Sequence, residues 1–164
     1  QYYFEKIIPD FLLSSWKLDY YNQSFAGVIG RSFGTEYYSS MFKNIVSLVA
    51  CGACLSVIYK NKKKDILTTM LSIGVIMTIS ILFNTFSWQH HFVWLIVPFY
   101  ATIFYLKKIK AKNNYYLLIA ISYLLVSINF PNPNILPIFF QSHVFYGGLI
   151  LLIVDLYLLK KATK

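Results

Sequence analysis

Ser87-Trp88-Gln89-His90-His91-Phe92 is a short polar interruption between two long apolar runs. Upstream, Ile66 to Phe83 is almost unbroken hydrocarbon, and downstream Phe92 to Leu106 is the same. Runs of this kind on both sides predict that the break lies where two membrane-crossing helices meet water. Two of the three histidines sit in it. Trp88 and Trp94 flank the pair, and their apolar bodies with polar tips suit the headgroup level of a bilayer.

Composition bounds what the break can mean. With 57% hydrophobic, 19% aromatic and 13% charged residues, and a mean hydropathy of +0.56, the chain is more apolar than an ordinary soluble domain. The predicted fold class is all-α, a polytopic transmembrane helix bundle. The net charge of +9 does not point to nucleic acid, because the basic residues do not form one face. Eleven of the fifteen Lys and Arg fall in three clusters, each closing an apolar run: Lys60 with Lys62 to Lys64, then Lys107, Lys108, Lys110 and Lys112, then Lys160, Lys161 and Lys164. The positive-inside rule assigns these clusters to the cytoplasm. About five spans follow: Met41 to Tyr59, Ile66 to Phe83, Phe92 to Leu106, Tyr115 to Phe130 and Val144 to Leu159, with the C-terminus cytoplasmic. Residues 1–40 read as an extracytoplasmic, interfacial segment and 41–164 as the bundle. Gln1 is not Met and no basic n-region opens the chain, which predicts the C-terminal part of a longer membrane domain.

This topology puts all three histidines on the extracytoplasmic side, with Arg31, Glu5, Asp10, Asp19 and Glu36. Any chemistry is expected there. Asn22-Gln23-Ser24 opens a short helix with Asn22 as its cap, and the same three residues form a formal glycosylation sequon. Arg31 is the single arginine against fourteen lysines. A planar, permanently charged guanidinium grips a phosphate through two parallel hydrogen bonds, which a lysine cannot reproduce. The plainer reading is a pairing with Glu36 or snorkelling to headgroups.

Adjacent helical residues point about 100 degrees apart, so one of His90 and His91 is expected to enter a site and the other to bond elsewhere. The spacing is poor for metal, although His143 is a possible third ligand; no cofactor is called, and a divalent metal is the weaker alternative. Cys51 and Cys54 lie inside the first span, where packing beside Ala50, Gly52 and Ala53 is the default. Asp155 is read as hydrated near the cytoplasmic interface. No Gly-rich phosphate loop or GxSxG elbow is present.

Asn22-Gln23-Ser24-Phe25-Ala26-Gly27-Val28-Ile29-Gly30-Arg31, followed by Ser87-Trp88-Gln89-His90-His91-Phe92-Val93-Trp94-Leu95, resembles the NQS...R and SWxHH signatures of glycosyltransferase family 87. These are GT-C-type membrane enzymes, similar to polyprenol-phosphate-mannose-dependent mannosyltransferases. The resemblance covers most of residues 7–100. It implies inverting transfer of a hexose, mannose first, from a polyprenyl-phosphate donor to a lipid-linked or glycan acceptor on the extracytoplasmic face of the cell membrane. It further implies that the acidic general base lies in an upstream loop outside this chain. On this reading Arg31 and one of His90 or His91 bind the departing lipid phosphate, while Asn22, Gln23 and Trp88 shape the substrate pocket. Membrane lipids are the other partners. The rival is a non-catalytic membrane protein, a transporter segment or scaffold, in which ionisable groups belong near the midplane.

Overall fold

A computed structural model describes residues 18–38, 41–61 and 65–162. Glu5, Asp10, Lys62 to Lys64 and Lys164, and about half of the expected N-terminal interfacial segment, lie outside the described residues. The described chain is all-helical, and its only strand-like feature is a single antiparallel bridge between Asn22 and Trp88. Two short helices, α1 (Phe25–Phe33) and α2 (Thr35–Tyr38), precede five longer ones: α3 (Met41–Lys60), α4 (Ile66–Leu82), α5 (Ile96–Lys108), α6 (Asn113–Ser127) and α7 (His143–Ala162).

The five long helices occupy the five apolar runs but differ in length. Among the described residues, only α3 and the segment Phe140–Ala162, which contains α7, are long and apolar enough by themselves to cross a membrane. Helices α4, α5 and α6 have 17, 13 and 15 residues. At 1.5 Å per residue they measure about 20 to 26 Å, against the roughly 30 Å of a hydrocarbon core. The shortfall of α5 has a specific cause. Its run begins as a seven-residue 3-10 turn, Gln89–Leu95, rather than as α-helix.

The ends of the bundle differ in chemistry. Asp65 caps α4 by accepting from the Thr68 N–H at 2.8 Å and pairs with Lys108 at 2.9 Å, so the α3–α4 and α5–α6 connections meet. These bonds, the Thr68 amide foremost, hold the Asp65 carboxyl well below the usual carboxylate range. Lys107, Lys110 and Lys112 lie at this lysine-rich end. Ser87 to His91 and the start of α7 lie at the other.

Helix α6 packs along α7, and α4 packs on both α5 and α7. The pair Gly147-Gly148 makes the contacts of α7 with α6 and α4 possible. A Cβ at Gly147 would lie 2.7 Å from the Ser122 carbonyl, and one at Gly148 would lie 2.9 Å from Leu82. Ser122 donates to the Gly147 carbonyl at 2.7 Å, fastening α6 to α7. Within α4, Ser72, Thr78 and Ser80 return their hydroxyls to carbonyls of the preceding turn, which spares apolar surroundings an unmet donor. Helix α3 stands apart, and only Lys43 and Cys54 are buried on it. The small residues around Gly52 do not bring a helix close, because Gly52 faces open space.

Asp155 overturns its reading as a hydrated residue: it is fully buried where α4, α5 and α7 meet. Its Oδ1 is hydrogen-bonded to Thr102 Oγ1, and its Oδ2 has no partner among the described residues. Gly74 of α4 closes the joint, since a Cβ there would sit 3.3 Å from Pro98 and 3.7 Å from Asp155 Oδ2. Thr102 has one hydroxyl proton and two oxygens in reach, Asp155 Oδ1 and, at 2.8 Å, the Pro98 carbonyl. Both bonds are fully made only if the carboxyl supplies the second proton, donating to Thr102 while Thr102 donates to Pro98. Asp155→Asn keeps a neutral donor and should leave the thermal midpoint in detergent near the parent value. Thr102→Val strands the carboxyl and should cost about 1 to 3 kcal/mol. Equal losses from the two substitutions would count against a protonated joint.

Candidate functional site

The site is built by two stretches that sequence separates by 65 residues. Ser24, not Asn22, caps α1: its hydroxyl accepts from the Gly27 N–H at 3.1 Å, satisfying one of the helix's open donors. Asn22 does something different. Its Oδ1 accepts from Ser24 Oγ at 2.8 Å, from Ser87 N at 3.2 Å and from Ser24 N at 3.3 Å. Around it, Gln23 N donates to Ser87 O at 2.7 Å and Gln89 N donates to Tyr21 O at 2.8 Å. The NQS and SWxHH stretches are thus clasped to each other through backbone and one amide. Gly27 lets α1 approach, because a Cβ there would lie 2.3 Å from the Asn22 carbonyl.

Asn22 and Gln23, expected in a substrate pocket, are completely buried beneath it. Gln23 Nε2 donates to Tyr20 O and, at 2.7 Å, to Gln141 O, while its Oε1 accepts from Phe145 N at 3.4 Å. It ties the clasp to the entry of α7. Burial also removes Asn22 as a glycosylation acceptor in the folded chain, and the sequon is incidental.

Arg31 makes no ion pair with Glu36, whose carboxylate lies against Gly34. Neither does it snorkel. Nη1 donates to Asn22 O at 2.7 Å and Asp19 O at 2.8 Å, and Nη2 donates to Ser142 Oγ at 2.9 Å, so the guanidinium cross-links the clasp to the segment before α7. Burial lowers its pKa to about 10, against the opposing pull of Tyr146 and Asp19. The group stays charged at neutral pH, with the buried Nε–H unmet. Of five guanidinium donors, three are used, which leaves one on Nε and one on Nη2.

The two histidines of the pair lie side by side, with His90 lining the cavities and His91 bonded to the backbone. The 3-10 backbone places the His90 and His91 rings edge to face with centroids 4.4 Å apart. Trp88 N donates to His91 Nδ1 at 3.2 Å, which fixes His91 as the neutral tautomer carrying its proton on Nε2. His90 is exposed. Trp88 stacks nearly parallel on Tyr21, with centroids 6.4 Å apart and planes 6° apart. Together with Gln89, His90 and Asn129, these rings line a cavity of about 370 Å³. Gln89 and His90 also line a second cavity of about 270 Å³, whose remaining walls are mostly apolar, among them Phe92, Ile96 and Phe99. The polar mouth and the mostly apolar cavity thus share Gln89 and His90 as a wall.

The third histidine is no metal ligand here. His143 Nδ1 bonds Leu125 O at 2.7 Å and must carry the proton, so Nε2 accepts from the Tyr20 hydroxyl at 2.8 Å. Among the described residues, no group of three His, Cys, Asp or Glu converges for a metal. Cys51 and Cys54 are free thiols on α3. Tyr21 and Asn129 were not legible as site residues; only the adjacency of Tyr21 to the NQS stretch hinted at it.

With this geometry in hand, comparison with protein-family models, curated proteins and solved structures returns no match.

The His91 arrangement has a pH signature. Burial first, and His90 second, lower its pKa below the ordinary imidazole value of about 6.5. The neutral ring favours the fold, so its contribution is complete above about pH 6.5. It declines on acidification as the unfolded chain takes up the proton first, until His91 itself protonates and loses the Trp88 bond. His91→Gln should flatten the fall in thermal midpoint between pH 7 and pH 5 relative to the parent. Identical slopes would remove His91 from the clasp's energetics.

Proposed function

We propose that the chain is the C-terminal part of a membrane glycosyltransferase that moves a hexose, mannose being the first candidate, from a polyprenyl-phosphate donor to a lipid-linked or glycan hydroxyl. The observation that carries this reading is the clasp. The two stretches that resemble the family 87 signatures are hydrogen-bonded to each other, and beside them a cavity with aromatic and polar walls shares Gln89 and His90 with a mostly apolar one. An amphiphile with a sugar-phosphate head and a long hydrocarbon tail has that polarity profile.

The reading extends to topology. All five long helices lie in the membrane, with α5 lengthened by Phe92 to Leu95 of the 3-10 turn, which add about 8 Å at about 2 Å per residue, and with Tyr and Lys completing α4 and α6. The lysine-rich end is cytoplasmic, as is the C-terminus, and the clasp is extracytoplasmic. A thiol label on a cysteine introduced at Lys112 should react from the cytoplasmic side only, and one at Asn132 from the opposite side only. Reaction of both from one side would overturn the arrangement.

In the proposed transfer, the acceptor oxygen attacks the anomeric carbon and the carbon–oxygen bond to the lipid phosphate breaks. The electron pair leaves on the phosphate, and the acceptor proton goes to a base outside these residues. The donor assigned to the departing phosphate is the imidazole of His90, which lines both cavities, with His91 held behind it by the Trp88 bond. The Trp88–Tyr21 pair is the face assigned to the sugar ring. Arg31 has a double assignment, with three donors bracing the clasp and the second Nη2 N–H left for an oxyanion, since Nε is buried. Arg31→Lys would therefore loosen the fold as well as the site, and the cleaner test is on the exposed side.

In transfer assays on the full-length protein with polyprenyl-phosphate hexose, His90→Ala should lower turnover by about 10²- to 10³-fold, the usual cost of one lost donor to developing charge. Trp88→Ala should raise KM for the donor. Parent-like turnover and KM in both variants would end the enzymatic reading. The second reading, a transporter, draws on the buried Asp155 between three helices. It is favoured instead if Asp155→Asn abolishes a flux while the clasp variants leave it untouched.

A further inference from the structure

Helices α5 and α6 are joined by a short connection, yet they pack against each other only weakly, because α6 leans on α7 and α5 on α4. The wedge between them toward the lysine-rich end is a cavity of about 520 Å³, walled by Phe99, Tyr100, Ile103, Tyr116 and Ile119. A void of that size lined by hydrocarbon leaves wall atoms without neighbours, and in a bilayer it fills with a lipid chain. One cation stands on its rim, Lys107. No described residue accepts a hydrogen bond or pairs with the Lys107 ammonium. Its neighbour Lys108 is matched by Asp65 at 2.9 Å, whereas Lys110 and Lys112 add further positive charge to the same connection.

We propose that this wedge is a binding site for one anionic phospholipid, with its phosphate at Lys107 and an acyl chain between α5 and α6. A head group that itself carries a cation would meet Lys107, Lys110 and Lys112, so a zwitterionic choline lipid is disfavoured. A headgroup of net negative charge is matched by them. The site is separate from the mouth at His90, although the two share Ile96, Phe99 and Tyr123 as a common wall. It does not depend on any transfer reaction. It requires only that this part of the bundle lie in lipid.

The test is native mass spectrometry of the delipidated full-length protein titrated with phosphatidylglycerol or phosphatidylcholine of identical chains. One phosphatidylglycerol per chain should be retained about tenfold better than phosphatidylcholine. Lys107→Gln should remove about tenfold of that affinity, as expected for a lost charge-assisted bond to phosphate. Ala120→Trp, which fills the wedge from an exposed position of α6, should abolish retention of both lipids without lowering the melting temperature. Lys110→Gln should cost no more than about fivefold, the effect of a distant lysine on an anionic lipid. Equal retention of the two lipids would overturn the proposal. So would a Lys110→Gln loss as large as that of Lys107→Gln, which would mean diffuse attraction. Displacement of phosphatidylglycerol by polyprenyl phosphate with the same Lys107 dependence would also overturn it, by assigning the wedge to the carrier.

Discussion

A single amide oxygen, Oδ1 of Asn22, takes hydrogen bonds from Ser24 N, Ser24 Oγ and Ser87 N, and most of the polar end of the molecule depends on it. It fixes the start of α1 to the loop after α4. Through the Asn22 carbonyl it seats Arg31, and through Gln23 next door it reaches the entry of α7. A buried donor left without its partner costs about 1 to 3 kcal/mol, so the loss of one side chain would disturb several elements together. Polar residues that look like ligands in a linear motif are here the frame that holds the ligand-facing ones.

The clasp explains why Trp88 and the histidines are presented as they are. A loop of this composition between two apolar helices has no intrinsic shape. Pinning Ser87 and Gln89 to Tyr21 and Gln23 leaves the chain to re-enter the bundle through a tight 3-10 turn, and that turn stacks the two imidazoles. The aromatic face then follows from the pairing of Asn22 with Trp88, which brings Tyr21 alongside the indole.

Much of the helix pattern was legible in the sequence, since runs of apolar residues closed by lysine leave few alternatives to helix. The places where reading failed share one physical cause. Where every residue is apolar, hydrophobic periodicity no longer distinguishes the packed face from the lipid-facing one, so α3 looked like a packing partner around Gly52 although it faces open space. For the same reason Asp155 was assigned by its distance from Lys160, when its environment is set by Thr102 and Gly74 on other helices. The closeness of the His pair was not legible because it comes from a 3-10 backbone rather than an α-helix. Arg31 was singled out by its rarity, but rarity could not reveal that three of its donors serve the frame.

In the proposed membrane topology, the buried carboxyl at the α4–α5–α7 joint has a consequence for biogenesis. An aspartate near the centre of an inserting helix costs about 2.5 to 3.5 kcal/mol at the translocon. Helix α7 carries one, and the hydroxyl that receives its proton is supplied by α5, which precedes it in the chain. Partitioning of α7 is therefore most favourable when α4 and α5 are already laterally assembled beside the exit, with Thr102 ready to accept. The order of synthesis supplies the partner before the helix that needs it.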